Sequence, residues 1–159
     1  MRVLIKNTKI VDVNSKYNNK IMDVLIVEGK IEKISKNIID KSAKIFSEPN
    51  LHLSTGWMDM HANFREPGFE YKDDLKTGIK SAIKGGFTSV LLMPQTEPVI
   101  DSKSHVEYIR NNTKGNIIDV HTSASVTKNM EGNDLVEMHD MNWRTKTKNW
   151  YCQGIIKAN

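Results

Sequence analysis

The sequence predicts an α/β protein, in which a small N-terminal β layer precedes strands and helices that alternate as they do in a parallel sheet. Three observations carry that prediction. Residues 1–54 hold short β-branched runs parted by polar turns, with no helical period. From Gly56 onward, apolar segments switch repeatedly between strand-like and helix-like spacing. The chain has 159 residues, 38% hydrophobic and 26% charged, the balance of a folded protein with room for one ordinary domain or a small one plus part of another. The predicted organisation is a β portion over 1–54, a β/α portion over 55–141 and an atypical basic tail over 142–159.

The elements follow in order. Val3-Leu4-Ile5 and Ile10-Val11-Asp12-Val13 are β-rich, the second ending in the turn Asn14-Ser15-Lys16. Val24, Ile26, Ile31 and Ile34 flank Glu28-Gly29, a hairpin turn where glycine accepts a conformation most residues resist. Ala43–Phe46 and Leu51–Leu53 are two further strands. Trp57–Phe64 then reads as a strand and Tyr71–Lys84 as a helix with Leu75, Ile79, Ala82 and Ile83 on one stripe, Asp73 and Asp74 in its first turn and Gly85-Gly86 at its end. Thr88–Met93 is a strand stopped by Pro94. A second helix covers Ser102–Asn112, capped by Asp101 or Ser102, with Val106 and Ile109 inward. Ile117–Val120 is a third parallel strand, and Glu131–Met141 reads as a third helix. Both doubly wound sheets and eight-fold barrels start in this way, so periodicity leaves the choice open.

The bulk properties exclude several function classes. No apolar run approaches the roughly 18–20 residues of a membrane span, and Lys6 and Lys9 break up the N-terminus, so neither a membrane nor an export role is expected. The net charge of +4 comes from lysines scattered among acids, with no zinc-finger spacing and no basic block, so no nucleic-acid partner is expected. A single cysteine, Cys152, fits a reducing cytoplasm. The last 19 residues, Met141–Asn159, hold two of the three tryptophans, four cations and no acid. They read either as a basic tail or, as the favoured expectation, as the product of a reading frame interrupted near Asn142, because a native domain seldom stops part-way through a βαβ series.

The strand around His61 is where chemistry concentrates. Alternation places Asp59, His61, Asn63 and Arg65 on one face and Met58, Met60, Ala62 and Phe64 on the other. The C-terminal ends of parallel strands open into the ligand crevice. A histidine there can offer imidazole to zinc, and an arginine can hold a carboxylate through two parallel hydrogen bonds. A solvated strand face accounts for such a pattern equally well on its own. His52, His105 and His139 read as surface residues and His121 as a strand end near the crevice. Met58, Met60 and Met93 read as core packing.

The segment Gly56-Trp57-Met58-Asp59-Met60-His61-Ala62-Asn63-Phe64-Arg65-Glu66-Pro67-Gly68 resembles the metal-binding signature of dihydroorotases, D-x-H-x-H-x-R-E-P-G. The similarity runs on through Phe69–Lys72, Thr77-Gly78 and Gly85–Thr88 to Met93-Pro94-Gln95-Thr96-Glu97-Pro98, which resembles the family's M-P-N-T-x-P loop. Ile10–Asp12 and Asp23–Ile31 resemble the β-sandwich that precedes the barrel in the wider amidohydrolase group. The resemblance spans residues 2–141 and is most specific in the middle third. It implies a fold: a small β-sandwich portion followed by the first strands and helices of an incomplete (β/α)8 TIM-type barrel.

The resemblance also implies an activity, zinc-dependent interconversion of dihydroorotate and carbamoyl-aspartate in pyrimidine synthesis, with one or two zinc ions activating water. By position, His61 matches the first metal-ligating histidine and Arg65 the grip on the substrate carboxylate. Asn63 stands where the family has its second metal-ligating histidine, and Gln95 where it has a substrate-binding asparagine. An amide oxygen binds zinc more weakly than imidazole, and the extra methylene of Gln95 shifts its amide. The family's remaining ligands and catalytic aspartate lie on later strands; a full barrel takes about 250 residues, and 103 follow Gly56 (159 − 56). No catalytic residue is therefore assigned within this chain, and the chain alone is expected to be inactive. The alternatives are a hydantoinase, dihydropyrimidinase or allantoinase, or a non-catalytic dihydroorotase-like subunit that supports aspartate transcarbamoylase. Expected partners are a small cyclic amide and either a second copy or that transcarbamoylase.

Overall fold

The structure, a computed structural model, describes residues 1–139 and the backbone of Cys152–Gln153. The chain divides into two compact units, Met1–Thr55 and Gly56–Asn159. In the first unit, β1 (Arg2–Val11) pairs antiparallel with β2 (Ile21–Val27), which pairs antiparallel with β3 (Lys30–Ser35). Parallel to β1 run β4 (Lys44–Phe46) against Val3–Ile5 and β5 (His52–Ser54) against Lys9–Val11. The β2–β3 turn carries Glu28 at φ +49° and Gly29 at φ +76°, the paired positive values of a turn whose twist matches a hairpin. The first unit is one five-stranded sheet over a small core of Leu4, Leu25 and Ile38.

One buried carboxylate organises this sheet. β1 shifts register between Ile5 and Thr8, where Asn7 takes φ +50°. Asp23, 2% exposed, accepts the Asn7 amide at 2.9 Å and the Ile38 amide at 2.9 Å, so both bent segments are fixed by a single side chain. Lys6 Nζ at 3.8 Å balances its charge.

The second unit holds β6 (Trp57–Ala62), β7 (Phe87–Leu92) and β8 (Asp119–Thr122), parallel and in that order. The crossovers are α1 (Leu75–Lys84) and α2 (Lys103–Thr113). Leu75, Ile79 and Ala82 of α1 and Val106 and Ile109 of α2 pack on Val90 and Leu92. At roughly 100° per residue, Ile83 falls about 80° from Leu75, at the border of the stripe. It is exposed, and Gly78 is buried in its stead. α1 begins at Leu75, not Tyr71, because Asp74 is its cap: extended at φ −131°, it accepts the Thr77 amide at 2.7 Å while Thr77 Oγ1 accepts the Asp74 amide. That donation, chiefly from the Thr77 amide, holds the Asp74 carboxyl below its ordinary range. Ser102 caps α2.

Two expectations are corrected. Met58 and Met60 are not core: both are exposed, and only Met93 of that trio is buried. Among the described residues α1 packs on β7 and α2 on β8, whereas β6 is one of the sheet's two edges, with Trp57 edge-on to Phe87. The third helix is absent over 131–137. A 3-10 turn, Lys128–Met130, precedes a tight loop that Thr127 closes by accepting the Gly132 amide, with Lys128 N–H bonded to Asp134 O at 2.8 Å. Positive φ at Asn129, Met130 and Gly132 is incompatible with a continuous helix there. β9 (Ala124–Ser125) pairs with β10 (Cys152–Gln153). The rest of the expected basic tail lies outside the described residues. No helix among the described residues is long and apolar enough to cross a membrane.

Candidate functional site

The C-terminal end of β6 presents the sequence-predicted residues. Between Asp59 and Ala62 the pairing with β7 shifts, Asp59 opposing Val90 and Ala62 opposing Leu92, so Met60 and His61 together face Leu91. The even alternation expected from Asp59 is therefore broken. Asp59 turns its carboxylate back to accept the His61 amide at 2.9 Å. From His61 onward alternation resumes: Ala62 and Phe64 are buried under the helices, while His61, Asn63 and Arg65 are exposed. His121, half-buried, pairs with Leu91 on the far side, so His61, Leu91 and His121 form one row across the sheet.

Past Asn63 the chain turns tightly. Glu66 N–H donates to Phe64 O at 2.8 Å, and Arg65 between them has φ +66°. A three-residue turn with that sign is the rare, strained kind, and such backbone costs about 1–3 kcal/mol unless its surroundings over-determine it. The surroundings here are numerous. Phe69 N–H closes on Arg65 O at 3.0 Å, and Gly68 N–H on Glu70 Oε1 at 2.8 Å. The Glu66 carboxylate accepts the Leu75 amide at the start of α1 at 2.9 Å and the Tyr108 hydroxyl of α2 at 2.7 Å. The bond to Glu66, then burial and the charges of Glu66 and Glu70, push the Tyr108 hydroxyl up to about 12.

The loop after β7 lies against this turn. Met93 N–H bonds Ala62 O at 3.0 Å and Glu97 N–H bonds Pro67 O at 3.1 Å, so the segments carrying Arg65 and Gln95 are joined at both ends. Gly68, at φ +92°, is required by this approach: a Cβ there would stand 2.0 Å from Glu97 O. Thr96 is buried and donates to Pro98 O at 2.8 Å, and Gln95 is exposed at the loop's tip. Glu66 and Tyr108 escaped the sequence reading. Glu66 could have been suspected as the neighbour of Arg65, but Tyr108, 42 residues away, carried no signal.

The described residues do not compose a metal centre. No group of three or more His, Cys, Asp or Glu side chains converges among them, and a zinc ion needs three or four protein donors. His61 and Asn63 share the exposed side of the strand end with Arg65, which is not a metal donor. His52 and His139 are exposed; His105 is half-buried instead of superficial, its Nδ1 3.3 Å from Asp101 Oδ1.

A parallel β/α unit with polar groups at strand ends defines a class that known structures share. A D-hydantoinase crystal structure superimposes with a TM-score of 0.65 at 27% identity, over 80% of this chain and 28% of that one. The more particular match is by sequence: residues 52–145 fit the family described as Dihydro-orotase-like, and the chain belongs to that family. A dihydroorotase of Clostridioides difficile (strain 630) is 39% identical over 86% of this chain and 32% of its own length. One of Clostridium botulinum (strain Eklund 17B / Type B) is 36% identical over 100% of this chain and 39% of its own. The chain thus spans about a third of the length of the curated relatives it matches.

Proposed function

We propose that this chain carries the opening section of a dihydroorotase-type cyclic amidohydrolase of the cytoplasm, acting between dihydroorotate and carbamoyl-aspartate. On this reading β6 to β8 begin a (β/α)8 barrel, and the five-stranded sheet belongs to the family's β-sandwich. The observation that carries the proposal is the fixed apposition of the Arg65 turn and the Gln95 loop at the open ends of β6 and β7. A planar guanidinium carried on that turn can take a substrate carboxylate through two parallel hydrogen bonds, and an amide side chain on the adjoining loop can orient the ring of a cyclic amide. Zinc is the metal this reading implies. His61 would give it an imidazole and Asn63 at most a weak amide oxygen; the described residues supply no third donor, so no catalytic step is assigned to this chain.

The test is a chimera in which this chain replaces the matched section of the Clostridioides difficile relative. Dihydroorotate ring opening should be weak, and Asn63→His should raise it by roughly tenfold or more, the scale on which metal-site changes act. Arg65→Lys should reduce turnover of dihydroorotate more than that of hydantoin, which lacks the carboxylate. Hydantoin turnover without dihydroorotate turnover would sink the assignment of substrate.

Asn63 also favours a second reading, a dihydroorotase-like subunit that has given up catalysis and supports a partner such as aspartate transcarbamoylase or a second copy of itself. Zinc bound stoichiometrically by the chimera and lost with His61→Ala would count against it.

A further inference from the structure

We propose that Glu66 is a positioning residue whose carboxylate ties the Arg65 turn to α1 and α2 and thereby sets where the guanidinium stands. The inference rests on the reading of Arg65 as a carboxylate grip, and it concerns how that grip is aimed. Arg65 is exposed, and among the described residues its side chain has no hydrogen-bond or ion-pair partner, so its aim comes from its backbone. That backbone is unfavourable by itself at φ +66°. Glu66 supplies what the turn lacks. Its amide closes the turn on Phe64 O, and its two carboxylate oxygens reach separate helices at 2.9 Å and 2.7 Å.

Each anchor is suited to the task. The Leu75 amide is a first-turn donor with no partner inside α1, and a carboxylate is favoured at that end of a helix. The Tyr108 hydroxyl comes from mid-α2, a helix that packs its Val106 and Ile109 into the same core as Phe64. One side chain therefore refers the exit of β6 to both helices that cover the sheet. Its bonds to an ionised acceptor are of the stronger kind. Glutamine can copy the arrangement, its oxygen accepting from Leu75 and its amide donating to Tyr108. Alanine cannot.

The experiment uses the full 159-residue chain. The one-bond Cα–Hα coupling of Arg65 distinguishes positive from negative φ. It should report positive φ in the wild type and in Glu66→Gln, and an averaged value in Glu66→Ala, with the methyl signals of Leu92 and Ile109 unmoved. Dihydroorotate should bind about tenfold more weakly to Glu66→Ala, the scale of one lost charge-assisted bond, and hydantoin should bind unchanged. An unaltered Arg65 coupling in Glu66→Ala overturns the proposal. If that variant does not fold, Tyr108→Phe decides: it should move the Arg65 coupling part of the way, and a wild-type value overturns the proposal. Dihydroorotate binding equally well to wild type and Arg65→Ala would instead defeat the carboxylate-grip reading, while the coupling still reports whether Glu66 sets the turn.

Discussion

Arg65 and Tyr108 meet the chemistry of the site from opposite directions: one is held in an uncommon backbone, and the other is a common residue with an uncommon titration. The Tyr108 hydroxyl is pushed up to about 12 from an ordinary value of 10.0, first by its bond to Glu66. The sign follows from linkage. The folded state keeps the proton that the unfolded state releases, so the stabilisation is fully present below pH 10 and is lost as pH rises through 12. Denaturant titrations of wild type and Tyr108→Phe should differ by a constant amount from pH 7 to 9 and converge above pH 10; a difference independent of pH would mean that Glu66 does not hold the phenol. This pair shows the limit of reading single residues from sequence. The exposure of His61, Asn63 and Arg65 was legible because they alternate with the buried Ala62 and Phe64 across the end of β6 and the residues that follow it. Asp59 was misplaced because a bulge is a property of the pairing with β7, which the strand's own residues do not encode.

Helix α1 shows what was legible at the scale of an element. Its apolar stripe and the glycines at its end locate it, whereas its start was set by competition: Asp74 does more as an extended cap than as a helical residue. Glycine is unfavourable in a helix interior, and tertiary packing explains Gly78. A Cβ at Gly78 would lie 2.4 Å from the ring of Phe64, the buried residue that precedes Arg65. Alanine ordinarily gains up to about 1 kcal/mol over glycine within a helix. At Gly78 overpacking costs about 1–3 kcal/mol, and it should win. Gly78→Ala is thus expected to lower the urea midpoint and to perturb the Arg65 amide, because Phe64 is the side chain that must yield. A raised midpoint would show that α1 can back away from the strand. The expected third helix does not start at Glu131 for a complementary reason. The loop after β9 is closed by the Thr127 hydroxyl and by the Lys128–Asp134 backbone bond, specific turn contacts that helix propensity does not contain.

For the whole molecule, the alternation of strands and helices pointed to a parallel sheet, but not to its order β6-β7-β8 nor to which surfaces would be covered. Sequence parity put Met58 and Met60 in a core because it assumes a helix over every strand. The two helices pack on β7 and β8, and among the described residues no strand pairs with the outer edge of β6. Trp57, Met58 and Met60 are 58%, 38% and 50% exposed along that edge, an apolar run beside free backbone donors and acceptors. Unpaired edges of this kind recruit further strands unless charge or proline blunts them, and β6 between Trp57 and Ala62 has Asp59 and no proline. The chain should accordingly self-associate at concentrations on the order of tens of micromolar, with sedimentation velocity showing species larger than a monomer. Met58→Lys combined with Met60→Lys places cations on the edge without touching Ala62 or Phe64, so it should shift the distribution towards monomer and leave the thermal midpoint nearly unchanged. A wild-type chain that sediments as a single monomer at those concentrations would mean that the edge of β6 is protected by something other than its own side chains.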